Sequence, residues 1–229
     1  MLAFLVDHMY LTGSILACVL WLPVILKSKK KKELIIMGIV FGLGAVAIGQ
    51  LYALSDYWSP SYLLGQSLPL EDFLYGFFFG GFLVGIHDIL HKPVFYEDRK
   101  PNYLLGLGIL IFTAVLFYVS VNLLNINSIV AHIVPPVIVG ILVVVQYPHL
   151  FKHMLINMLI GLIVTTGAFQ ILLLIDPSFI GDIWMIENLS GIFLFGTPIE
   201  EYFFAAALGF GSPFFYEVSK GHIPHWLKD

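Results

Sequence analysis

Two stretches decide the fold: Leu68-Pro69-Leu70-Glu71-Asp72-Phe73-Leu74-Tyr75 and Thr197-Pro198-Ile199-Glu200-Glu201-Tyr202-Phe203-Phe204. Each reads proline, aliphatic, glutamate, a second acid, an aromatic, and then an apolar run. Pro198 follows Pro69 by 129 positions. The echo extends upstream, where Gln50 lies six residues before Asp56 and Gln170 six before Asp176. Self-similarity on this scale means a repeated structural unit and is read before any single motif.

Around these stretches the chain is too apolar for a soluble globule. It has 229 residues, of which 59% are hydrophobic and 11% charged, with mean hydropathy +0.93. Soluble domains carry about 25% charged residues to cover their surface. A polytopic membrane protein remains, because lipid then solvates the outer face. The net charge of −4 gives no basic field for nucleic acid. A single cysteine, Cys18, excludes an intramolecular disulfide and a cysteine metal cluster. The first apolar run starts without Lys or Arg, carries Asp7, and continues to Leu26. It reads as a retained span rather than a signal peptide.

A spanning helix needs about 20 mostly apolar residues. Seven candidates fall near 4–26, 34–55, 69–91, 103–124, 129–147, 153–175 and 198–218, the fifth interrupted by Pro135-Pro136. With seven spans, all 11 Lys and Arg fall on one side. Lys27 to Lys32 lie in the first loop, Lys92, Arg99 and Lys100 in the third, Lys152 in the fifth, and Lys220 and Lys228 in the tail. The positive-inside rule then predicts an integral membrane protein of the cell membrane, with the N-terminus outside and the C-terminus cytoplasmic. The lysine run serves orientation first and anionic headgroups second. Trp58 and Trp184 in the outer loops fit an interfacial aromatic belt.

The expected fold is an all-α polytopic membrane protein with seven transmembrane helices in a 3+1+3 parallel repeat. Residues 1–92 form the first three-helix repeat, 93–127 a linker helix, and 128–229 the second repeat. Four spans separate equivalent helices, so both halves share one orientation and both acidic motifs open on the outer side. One site shared between the halves follows.

Glu71, Asp72, Glu200 and Glu201 therefore sit at the outer ends of two apolar helices. Acids near a membrane core are costly, by about 2.5–3.5 kcal/mol at a helix centre, and are functional by default. Part of the set has a structural explanation. Thr197-Pro198-Ile199-Glu200 has the form of a capping box, with Thr197 capping and Glu200 reaching back to a free N–H. That leaves Asp72 and Glu201 unexplained, and Leu68 cannot cap the first motif. Crowded carboxyls in low dielectric cannot all ionise, so some can act as proton donors. No dinucleotide fingerprint or phosphate loop occurs, so no cofactor is expected. The substrate should be a lipid and the chemistry should need only a proton.

Pro69-Leu70-Glu71-Asp72-Phe73 and Pro198-Ile199-Glu200-Glu201-Tyr202 resemble the paired motifs of the lycopene cyclase domain family, the membrane-embedded carotenoid cyclases found as two small subunits or one fused chain. Trp58-Ser59-Pro60-Ser61-Tyr62-Leu63-Leu64-Gly65 resembles the family's approach to the first motif. The resemblance covers nearly the whole chain, in the fused form. Asp72 stands where Glu is usual, and the second repeat lacks the Pro-x-x-Leu-Leu-Gly stretch between Trp184 and Pro198.

The resemblance implies a lycopene cyclase-like isomerase in carotenoid biosynthesis, an intramolecular lyase that forms an ionone-type ring without net redox. A carboxylic acid protonates a terminal double bond, a carbocation closes a ring, and a carboxylate takes a proton back. Glu201 or Glu200 is the expected donor, and Glu71 or Asp72 the base or shuttle. Phe73, Tyr75, Tyr202, Phe203 and Phe204 are candidate cation-stabilising walls, although helix packing accounts for most of them singly. Gln50 and Gln170 are candidate partners of the acids, or interhelical glue, with Pro69 and Pro198 in support. Expected partners are a carotenoid or other isoprenoid lipid and the bilayer, with a homo-oligomer or carotenoid-pathway enzymes as further associates, and no nucleic acid.

His87 and His91, and His149 and His153, have i,i+4 metal spacing. Interfacial histidines, with Asp88 pairing Lys92, account for them, and no metal is expected. The alternative function is a small parallel-repeat transporter with carboxylate proton coupling. Against it, the acids cluster at one end and few polar residues line the spans. An intramembrane protease would want an Arg after its Glu pair, and Tyr202 to Gly209 contains none.

Overall fold

The computed structural model describes residues 2–90, 96–98, 102–220 and 222–224. The chain is mostly helical. After a short helix Leu2–Asp7, the long helices are α1 (Met9–Lys27), α2 (Lys31–Ile48), α3 (Leu70–Leu90), α4 (Tyr103–Asn122), α5 (Ser128–Gln146), α6 (Phe151–Ile175) and α7 (Ile199–Lys220). Among the described residues, 5 helices are long and apolar enough to cross a membrane: α1, α2 with its extension to Asp56, α4, α5, and Pro148–Ile175. The acid-bearing helices α3 and α7 run for 21 and 22 residues. Pro135 and Pro136 lie inside α5, which stays continuous across them.

α2 does not end as a regular helix. Gly49–Ala53 forms a wide π turn, followed by one turn at Leu54–Asp56. One extra residue is thereby inserted and the following side chains are rotated. α6 is regular through Ile175.

Close backbone approach packs each acid-bearing helix on the one preceding it. A Cβ on Gly42 of α2 would lie 2.8 Å from the Phe73 ring of α3. A Cβ on Gly209 of α7 would collide with the Asn157 carbonyl of α6. Without a hydrophobic force between helices in lipid, small residues at such crossings allow dense van der Waals contact. The large apolar side chains left outward, such as Leu104, Ile163 and Leu174, suit a lipid surface.

A polar joint ties the end of α2 to the start of α5. The Asp56 carboxylate accepts from Ser128 Oγ at 2.5 Å and from Ser128 N–H at 2.8 Å. Asn127 and Asn188 each donate a side-chain N–H to the Asp56 carbonyl at 3.0 Å. Asn127 Oδ1 also caps α5 by accepting from Ile129 N–H. This gives the uncharged, asparagine-rich loop at 122–128 a purpose that its composition alone does not reveal. At the opposite end Lys220 bonds Glu33 at 3.4 Å.

Two short antiparallel strand pairs depart from the expected all-α fold. Tyr96–Asp98 pairs with His222–Pro224. Phe193–Leu194 pairs with Thr197–Pro198 in a hairpin just before α7. His91, Lys92, Arg99, Lys100 and Lys228 lie outside the described residues, as do the side chains of His87 and Asp88. The expected His87–His91 spacing and Asp88–Lys92 pair fall there.

Candidate functional site

The four acids of the motifs are all buried: Glu71 is 0% exposed, Asp72 1%, Glu200 8% and Glu201 5%. The first turns of α3 and α7 hold them. Within each motif the two acids face different partners.

The first acid of each motif reaches back to the preceding loop. Glu71 Oε1 accepts from Leu63 N–H at 2.7 Å, and Glu200 Oε1 from Ser190 N–H at 2.7 Å. In both residues Oε2 is buried without a hydrogen-bond partner. An orphaned buried polar atom requires an explanation, and a role in chemistry is one of the few available.

The second acid meets side-chain donors. Tyr10 of α1 donates to Asp72 Oδ1 at 2.5 Å. Gln50 Nε2 and the Tyr62 hydroxyl donate to Asp72 Oδ2 at 3.1 and 3.0 Å. The π turn in α2 presents Gln50 to the carboxylate, and Gly49 makes room. A Cβ there would stand 2.8 Å from Asp72 Oδ2. Burial, and then the Asp72 charge, push the Tyr62 hydroxyl above the ordinary phenol range, so it stays a donor. Glu201 Oε1 accepts from the Trp184 indole at 2.8 Å, and that N–H is shared with the Tyr57 hydroxyl at 2.9 Å.

Aromatic rings connect the two carboxylates. Tyr10 lies edge-on to Trp58 with centroids 4.8 Å apart, and Trp58 edge-on to Trp184 at 6.3 Å. Backbone bonds fix this bridge across the halves: Met185 N–H to Tyr57 O, and Ser59 N–H to Ile183 O.

Several expected contacts have other partners. Thr197 does not cap α7, since its hydroxyl is buried without a partner, and Glu200 reaches Ser190 instead. The capping box is overridden by the hairpin, which holds Thr197 and Pro198 in a strand. Pro69 accepts from Phe73 N–H at 3.4 Å. Gln50 holds Asp72, but Gln170 donates to the Phe195 carbonyl at 2.9 Å. Without a π turn in α6, its direction differs from that of Gln50. Trp184 is buried against Phe169 and Phe179 rather than placed in an exposed belt.

Of the five expected wall aromatics, Phe73 stacks on Phe77 and Tyr75 on Phe79. Tyr202 donates to the Leu194 carbonyl. Phe204 lies edge-on to His132, and Phe203 is exposed. The rings bonded to the acids or to their donors are Tyr10, Tyr57, Tyr62 and Trp184, with Trp58 between Tyr10 and Trp184. His149 lies edge-on to Tyr147, and His153 is buried. Among the described residues no group of three His, Cys, Asp or Glu could hold a metal ion.

Fold and site together define a helical membrane protein with paired buried carboxylates. The lycopene cyclase family model matches residues 2–90 and 127–219, consistent with a two-part domain, and the chain belongs to the lycopene cyclase family. Membership supports a carotenoid cyclase function, and with it enzymatic cyclisation of a carotenoid substrate. No curated protein and no solved structure matches the chain.

Proposed function

We propose that the chain is a membrane-embedded isomerase that closes the end group of a linear carotenoid into an ionone-type ring by acid catalysis, with one site shared by two parallel repeats. Residues 1–92 and 128–229 are the repeats, and 93–127 the linker span. The seven helices cross the membrane as 3+1+3, with the carboxylates at the outer end and the lysines at the cytoplasmic end. Two features support the parallel arrangement: both acidic motifs open helices that follow matching antiparallel crossings, and the family match skips 91–126.

The observation that carries the chemistry is the free, buried Oε2 of Glu200, whose other oxygen is fixed by Ser190. A proton on that atom has no protein acceptor and can pass to a double bond placed against it. It adds to the less substituted carbon of the terminal double bond and leaves a tertiary cation. The π electrons of a second double bond close a six-membered ring, and the cation moves to the ring. A ring proton then leaves to Asp72, whose three donors stabilise negative charge. One C–C bond forms, one proton enters and one leaves, so product and substrate are isomers. Trp58 and Trp184 supply electron-rich faces, and cation–π contacts reach about 2 kcal/mol when desolvated. A dry site also keeps water from capturing the cation. No step needs a cofactor.

Expression in a bacterium that accumulates lycopene tests this. Cyclised carotenoid in the extracted pigments, lost in Glu200→Gln and in Glu201→Gln, is the expected result. Unchanged lycopene beside well-inserted wild-type chain would overturn the proposal.

A further inference from the structure

The loops latched by Glu71 and Glu200 share an unusual surface. Leu63, Leu64 and Leu68 in the first, and Phe193, Leu194 and Phe195 in the second, are all exposed. No charged residue occurs from Tyr57 to Leu70 or from Asn188 to Ile199. Loops facing water are normally polar, and contiguous exposed apolar patches mark a surface that meets something.

The second loop is also built to do without water. Phe193–Leu194 and Thr197–Pro198 pair around Phe195-Gly196, both with positive φ, 51° and 80°. That is the backbone of a tight two-residue hairpin turn, whose central positions favour Asn and Gly. A phenylalanine there is strained, and the residue is 67% exposed. Turn stability does not explain the choice. At a hairpin tip the carbonyls ordinarily face solvent. Here Gln170 donates to Phe195 O at 2.9 Å and Tyr202 to Leu194 O at 2.9 Å. Ile199 N–H closes on Ile192 O at 2.9 Å. Backbone groups satisfied by protein are what an apolar surrounding demands.

We infer that the 193–196 hairpin, with the 63–68 loop beside the other motif, is inserted into the acyl–headgroup boundary of the bilayer at the carboxylate end, and that lipid acyl chains cover its exposed rings. The helices that these loops adjoin also leave large apolar side chains outward, Leu70 of α3, Ile171 and Leu174 of α6 and Phe203 of α7, which favours lipid over a second copy of the chain as the cover. Gln170 and Tyr202 act as the carbonyl caps that permit insertion. The inference is independent of the chemistry proposed above.

The test needs no turnover. In a Cys18→Ser background, Phe195→Cys and Leu64→Cys are spin-labelled in phosphatidylcholine nanodiscs, with Phe193→Cys as a second hairpin position and Ser178→Cys as a control. Accessibility is read with oxygen, which concentrates in lipid, and with a water-soluble nickel chelate. The loop labels are expected to favour oxygen at least threefold over the Ser178 label, and Gln170→Leu is expected to move the hairpin label toward nickel. Nickel access equal to that of the control at positions 64, 193 and 195 would overturn the inference. So would labels shielded from both reagents that become accessible when the protein is diluted to one chain per disc, since a second copy would then be the cover.

Discussion

The two motifs are near copies in sequence and different in surroundings. Asp72 gathers donors from three separate elements, namely α1 through Tyr10, the π turn of α2 through Gln50, and the following loop through Tyr62. Glu201 meets one shared indole, with Phe169 and Phe179 packed on the far side of that ring. Counting back from Asp56 and Asp176, the small Gly49 of the first half corresponds to the bulky Phe169 of the second. One half is furnished to hold charge and the other to surround it with rings. Under the proposed function, the division of labour between acid and base follows from these surroundings, because the environment of a carboxyl decides its role.

Substitutions in the two halves should break that comparison unequally. Glu200→Gln should cause the largest loss, a fall in cyclised product of about 10²–10⁴-fold, the usual worth of a general acid, while Glu71→Gln should fall by less than about tenfold. Pigment analysis at matched membrane expression checks both, and equal large losses would mean that Glu71 and Glu200, each with an unpartnered Oε2, are both required in one site. Next comes Asp72→Asn against Glu201→Gln in thermal unfolding. Asp72 accepts from three side chains and Glu201 from one, and Asn replaces an accepting oxygen with a donor, so Asp72→Asn should lower the midpoint more, with each lost bond costing about 1–3 kcal/mol. Gly49→Ala should follow, destabilising by about 1–3 kcal/mol because the new Cβ meets the Asp72 carboxylate. Gly44→Ala meets nothing within 4 Å and should be neutral or stabilise by about 1 kcal/mol through helix propensity. If Gly49→Ala behaves like Gly44→Ala, the tight fit around Asp72 is not what distinguishes the first half.

The acid-bearing helices and their motifs were legible in the sequence because apolar run length and a repeated short pattern are local signals. The partners of the acids were not. Tyr10 lies 62 residues from Asp72, and nothing in its own neighbourhood marks it. Trp58 and Trp184 carry the same composition signal as a membrane belt, and only the pairing of their loops shows that they bridge two carboxylates. The π turn has no sequence signature that separates Gln50 from Gln170, so the two glutamines read alike and point differently. Thr197 had the chemistry of a cap, but the hairpin claimed its backbone first. Local rules fail at these places because the neighbourhood of the site is assembled from both halves.

The joint between Asp56, Ser128, Asn127 and Asn188 ties the end of α2, in the first half, to the start of α5 in the second. A lock of this kind does not require one continuous polypeptide. Two gene products, each supplying one side of it, could find their register by the same contacts. Fusion into a single chain would then mainly fix their ratio and raise their effective concentration, leaving the geometry between the halves to this joint and to the backbone bonds that pair 57–59 with 183–185.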